Sequence, residues 1–101
     1  MTMLLLIFRQ SLEHDLHQLL ADLEVKAFTQ APKILGMGEA GSTFNSFPWP
    51  GHNCMVIATQ DDPEADKVVK RLREFRDDLA RRQKGAKLPM RVFAFPCTWL
   101  I

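Results

Sequence analysis

Three runs of strand length carry no polar residue at either parity: Met3-Leu4-Leu5-Leu6-Ile7-Phe8, Cys54-Met55-Val56-Ile57-Ala58 and Val92-Phe93-Ala94-Phe95. Each falls far short of the ~18 apolar residues that span a bilayer. A strand with one face in water alternates apolar and polar residues, whereas these runs ask for cover on both faces. The first run also lacks the basic flank and small-residue cleavage site of a signal peptide, so the expected location is the cytoplasm, with no membrane insertion.

Between the runs the period changes. Ser11 stands where a helix N-cap is needed, Glu13 lies in the first turn, and Leu12, Leu16, Leu19, Leu20 and Leu23 recur at spacings of three and four. A second helix opens at Asp61-Asp62-Pro63-Glu64, carries Ala65, Val68, Val69, Leu72, Phe75 and Leu79 as its apolar stripe, and ends before Gly85 and Pro89. Asp77 with Arg81 and Asp78 with Arg82 are favourable i,i+4 pairs on it. Residues 25–35 read as a second strand that continues past Pro32 as a sheet edge. Residues 36–53, rich in Gly, Pro, Ser and aromatics, have neither period and read as one long loop of a length that tends to be functional.

The resulting order, β-α-β-β-α-β, predicts an α+β ferredoxin-like sandwich: a four-stranded antiparallel sheet with two helices on one face. Residues 1–101 are expected to form a single domain, with the loop 36–53 between strands two and three. Two helices cover only one face of such a sheet. Since the strands are apolar at both parities and Trp99-Leu100-Ile101 adds further apolar surface, both sheet faces are expected to be buried, the second in a homo-oligomer.

The chain has 101 residues, 47% hydrophobic and 25% charged, enough for one compact core and unlike a disordered composition. Its net charge of +1 hides an asymmetry: residues 1–66 carry three basic and nine acidic side chains, residues 67–101 ten basic and three acidic. Most of the basic residues share the second helix with acids and read as a solvated face. The strand order also fits an RNA-recognition sheet, but residues 54–59 hold no aromatic on which a base could stack, so no nucleic-acid partner is expected.

Gly36-Met37-Gly38-Glu39-Ala40-Gly41 matches G-x-G-x-x-G. A dinucleotide fold needs a helix directly after that motif, and Ser42-Thr43-Phe44-Asn45-Ser46-Phe47-Pro48-Trp49-Pro50-Gly51 cannot supply one. The glycines therefore read first as a flexible loop and second as a backbone-amide cradle for an anion. His14 with His17, and His52 with Cys54, are sparse as metal sites, so no metal ligand is assigned. No Ser or Cys joins a His and a carboxylate in a recognisable set, so no catalytic residue is assigned and no enzyme is expected. Cys54 and Cys97 sit in apolar surroundings without C-x-x-C spacing and read as reduced thiols.

A chain of this size with this element order, whose long loop opens on Gly36-Met37-Gly38 and closes on residues 53–59, resembles the PII-like superfamily, which holds the nitrogen regulatory PII signalling proteins and their CutA relatives. The resemblance implies a non-enzymatic signalling or ligand-sensing trimer that binds a small anionic ligand between subunits, as PII proteins bind adenine nucleotides and 2-oxoglutarate. It makes residues 36–53 the T-loop that contacts a protein partner. Of the glycine-rich phosphate-contacting turn of PII proteins, Gly85, Lys87 and Arg91 remain. The implied ligand-binding residues are thus Gly36, Gly38, Gly41, Lys87 and Arg91, and the implied partner anchors are Phe44, Phe47 and Trp49. The chain has no tyrosine, which excludes tyrosine modification in that loop. The CutA branch implies a divalent-metal-binding protein as the alternative. No cofactor is named by the sequence.

Overall fold

The structure, a computed structural model, describes residues 1–35, 37–38, 41–42, 52–82 and 90–101. Strand β1 (Thr2–Arg9) leads through a 3-10 turn (Gln10–Leu12) into helix α1 (Glu13–Asp22) and strand β2 (Thr29–Ile34). Two short strands follow, β3 (Met37–Gly38) and β4 (Gly41–Ser42), then strand β5 (Asn53–Gln60), helix α2 (Asp62–Arg82) and strand β6 (Met90–Pro96). The four long strands form one antiparallel sheet in the order β2-β5-β1-β6, the ferredoxin-like arrangement expected.

Register explains where the core lies. Leu4 faces Ala58, Leu6 faces Val56 and Phe8 faces Cys54 across β1 and β5, and all six side chains are buried. They meet Leu16, Leu19 and Leu20 of α1 and Ala65, Val68, Leu72, Phe75 and Leu79 of α2 in one cluster, so both helices lie on this face. The helical stripes are the ones the spacing of three and four marks out, with Leu23, at the C-cap of α1, and Val69 only partly buried at the margin. Residues of the other parity, Met3, Leu5, Ile7, Met55 and Ile57, are half-buried, and Phe93 and Phe95 on β6 are 45% and 46% exposed. Within one chain, then, the strands are buried on one face and not on both.

Several local expectations need correction. Ser11 does not cap α1: it lies inside the 3-10 turn, and the N-cap position falls to Leu12, which makes no side-chain cap and instead buries its side chain. The second strand starts at Thr29 rather than at residue 25, because the chain before it is used to close α1. Val25 N–H reaches back to the Leu20 carbonyl at 2.9 Å and Glu24 N–H to the Ala21 carbonyl at 3.0 Å, a Schellman closure that buries Val25 against the helix. The stretch 36–53 is not loop throughout, since Met37 pairs with Ser42 and Gly38 with Gly41 in a two-residue ribbon and Asn53 already belongs to β5. On α2, Arg82 pairs with Asp78 at 3.1 Å as expected, but Arg81 also turns to Asp78, at 3.4 Å, and Asp77 takes Arg76 at 3.3 Å. All of these groups are exposed, so the exchange of partners has little energetic consequence.

Candidate functional site

The edge strand β2 carries the irregularity that builds the first cluster of chemistry-bearing residues. Ala31 pairs with Met55 and Ile34 with Asn53, so Pro32 and Lys33 together face the single residue Cys54. Proline has no N–H to offer a ladder, and the bulge leaves its carbonyl free to turn inward. Cys54 Sγ lies 3.2 Å from that carbonyl and 3.1 Å from Glu13 Oε2, so one S–H is shared by two acceptors. Glu13 is held at the first turn of α1, where the helix N-terminus favours a carboxylate. Gln30 Nε2 donates to the same Glu13 oxygen at 3.1 Å, and Gln30 Oε1 takes the hydrogen of His17 Nε2. The His17 ring rests against Phe28, with centroids 5.8 Å apart.

These contacts decide what the cluster can do. Burial, then the hydrogen bond to Glu13 and its negative charge, push the Cys54 thiol up to about 11. A thiol that keeps its proton through the neutral range is a poor nucleophile and a poor metal ligand. The cluster therefore latches the bulged edge strand to α1, and its members are placed for structure. No sequence motif announces it, since Glu13 and Cys54 are 41 positions apart and Gln30 looks like any polar strand residue.

The residues singled out from the sequence are distributed unevenly. Gly38 and Gly41 face each other in the β3–β4 ribbon. Arg91 is exposed on β6 opposite Ile7, at the parity of the uncovered sheet face. Strand β2, which precedes the ribbon in the chain, and strand β6, which carries Arg91, are the two opposite edges of the four-stranded sheet, roughly 14 Å apart across three strand spacings. Gly36, Lys87, Phe44, Phe47 and Trp49 lie outside the described residues, as do Gly85 and Pro89. His14 is exposed and His17 is engaged by Gln30. His52 accepts the Gln10 N–H on its carbonyl at 3.0 Å. Among the described residues no group of three or more His, Cys, Asp and Glu side chains could hold a metal ion, and no helix is long and apolar enough to cross a membrane.

No protein-family model matches the chain, and no curated protein matches it in sequence. Solved structures do match. CPII, a nitrogen regulatory PII-like protein from Thiomonas intermedia K12 bound to ADP, AMP and bicarbonate, superposes with a TM-score of 0.70 at 18% identity, over 93% of this chain and 82% of that one. The same protein bound to ADP and bicarbonate gives 0.67 at 16% identity, over 93% and 84%. A protein of Thermus thermophilus, described as PII-like and signalling, gives 0.60 at 15% identity, over 93% and 83%. The chain has the fold of PII-like proteins across nearly its whole length.

Proposed function

We propose that this chain is a non-enzymatic, PII-like ligand-sensing module of the cytoplasm that assembles as a homo-oligomer, in the PII manner a trimer, and binds a small anionic ligand between subunits. The observation that carries this reading is the uncovered sheet face, found on a fold shared with a nucleotide-bound and bicarbonate-bound protein. Phe93 and Phe95 stand nearly half exposed beside Met3, Leu5, Ile7, Met55 and Ile57, a contiguous apolar surface of the kind that monomers seldom leave wet. Arg91 shares that parity, so a second copy packed on this face meets a guanidinium suited to an anion. Strands β2 and β6 are opposite edges of the sheet, and in the proposed assembly the ribbon after β2 of one copy meets Arg91 on β6 of its neighbour. Gly36, Gly38, Gly41 and Lys87 complete the proposed ligand site, and Phe44, Phe47 and Trp49 the proposed partner surface of the T-loop.

Two measurements test the reading. Light scattering should give a mass near a small multiple of 11.6 kDa, and a monomer at micromolar concentration overturns the assembly. A thermal-shift panel of ADP, AMP, bicarbonate, 2-oxoglutarate and divalent cations should show stabilisation by an anion, reaching about 2.7 kcal/mol at a hundredfold excess over Kd. Charge reversal at both Lys87 and Arg91 should abolish that shift. Stabilisation by a divalent cation alone would move the chain to the CutA-like alternative.

A further inference from the structure

A groove of about 320 Å³ runs between α2 and β6, on the helix side of the sheet and away from the bulge cluster. It exists because α2 packs over β1 and β5, so the helix-side residues of β6 lie beside that helix rather than beneath it. Val69, Leu72, Met90 and Val92 make its apolar lining, and Arg73 and Arg76 add two guanidinium groups. No acidic side chain among the described residues lines it. A groove of this volume is at the small end of ligand sites and suits one or two large side chains.

The chain also carries an exposed apolar segment. Trp99, Leu100 and Ile101 are 69%, 87% and 107% exposed. They do not line their own groove, and the Cys97 N–H bonds the Met1 carbonyl at 3.1 Å, which continues the β6–β1 pairing beyond Pro96 and away from Ala94. Indole and guanidinium are complementary, because a guanidinium stacks on the electron-rich face of the ring, and Trp and Arg are the residues that most often anchor interfaces. Phe93 lines the groove and by register belongs to the uncovered face, so the two surfaces are continuous around the β6 edge.

From this complementarity we infer that residues 99–101 of one copy seat in the α2–β6 groove of a second copy, with Trp99 against Arg73 and Arg76. The contact is heterologous, tail into groove, and repeats around a closed ring. It rests on the proposed association of copies, to which it adds the residues that lock one copy to the next.

The test is a cross-link in trans between full-length chains. One population carries Arg73→Cys and the other Leu100→Cys, both with Cys97→Ser, and the mixture is mildly oxidised. The buried Cys54 stays reduced. A seated segment raises the effective concentration of the two thiols, so the disulfide-linked heterodimer should form at least about tenfold faster than with Arg71→Cys, an exposed position on another side of α2, in place of Arg73→Cys. Equal rates overturn the groove assignment. Light scattering on the same samples separates the two readings: a monomer overturns the assembly and this contact together, whereas an oligomer without the fast cross-link overturns this contact alone. In a Trp49→Phe chain Trp99 is the remaining tryptophan. Its emission should shift red when Arg73 and Arg76 are both replaced by alanine, and unchanged emission also overturns the assignment.

Discussion

The two faces of the sheet are made from the same strands and nearly the same residue types, yet they differ in state. Leu4, Leu6, Phe8, Cys54 and Val56 are 1% exposed or less under the helices, while their neighbours Leu5, Ile7, Met55 and Ile57 are half-buried, with no described helix over them. Apolar content in a strand therefore reports that a face is to be covered, and not that the same chain covers it. The difference comes from the helices: two of them span one side of four strands, and their apolar stripes are used up there. What remains open is a surface whose cover has to come from elsewhere.

The comparison predicts a large difference between two phenylalanines. Phe8→Ala removes a ring that is 1% exposed and leaves a cavity at the centre of the cluster, costing about 3–5 kcal/mol in urea unfolding. Phe93→Ala removes a ring that is already 45% exposed, so in a dilute, monomeric sample it should cost about 1 kcal/mol or less. In a concentrated sample the same substitution should weaken assembly and make the apparent stability fall with dilution. Equal costs in a sample shown to be monomeric would break the distinction between the faces.

Cys54 is fully buried on the helix-side face, and its thiol offers a sharper probe of that burial. In the unfolded chain the thiol loses its proton near 9.0, whereas in the fold it keeps it to about 11. Below pH 9.0 both states hold the proton and the thiol's contribution is fully present. Between pH 9.0 and about 11 the unfolded state binds fewer protons than the folded one, so stability falls as pH rises, by roughly 2–3 kcal/mol in all. Cys54→Ala should remove that part of the alkaline decline, measured as the difference between the two unfolding profiles. Thiol reagents at neutral pH should label Cys97 and spare Cys54. Identical profiles for the two chains would mean that the thiol is open to water.

How much of this was legible in the sequence follows the range of the interactions. The stripe of α2 repeats within a few residues, so Ala65, Val68, Leu72, Phe75 and Leu79 could be read as buried before any fold was known. The strand runs were equally plain, and with the helices between them they determined the topology. What the strands could not disclose was their polarity of burial, since Leu5 and Leu6 look alike until a helix is placed over one of them. Local rules also yielded where tertiary packing had more to gain: burial of Leu12 displaced Ser11 from its cap, and closure of α1 over Val25 delayed β2. The latch between Glu13, Gln30 and Cys54 needs three elements brought together by the fold, and no spacing in the chain encodes it. Of the candidate ligand site, only Arg91 and the pairing of Gly38 with Gly41 lie among the described residues, and they belong to two different sheets.

The smallest predicted effect concerns the seam where the covered face is closed off. Glu24 sits at φ 60°, the left-handed position that ends α1. A Schellman closure prefers glycine there, since any Cβ crowds the following carbonyl oxygen. Glu24 also places a negative charge at the helix end whose dipole repels it, and no basic residue in the last turn compensates. Glu24→Gly should therefore raise stability by about 0.5–1 kcal/mol, the relief of the left-handed strain less the entropy that glycine adds to the unfolded chain. Glu24→Ala separates the two causes, because it removes the charge and keeps the Cβ. If backbone strain dominates, the alanine variant gains at most a few tenths of a kcal/mol and glycine takes the rest, which matched thermal melts can resolve. Equal gains in the two variants would assign the cost to charge, and the closure that buries Val25 would then be unstrained.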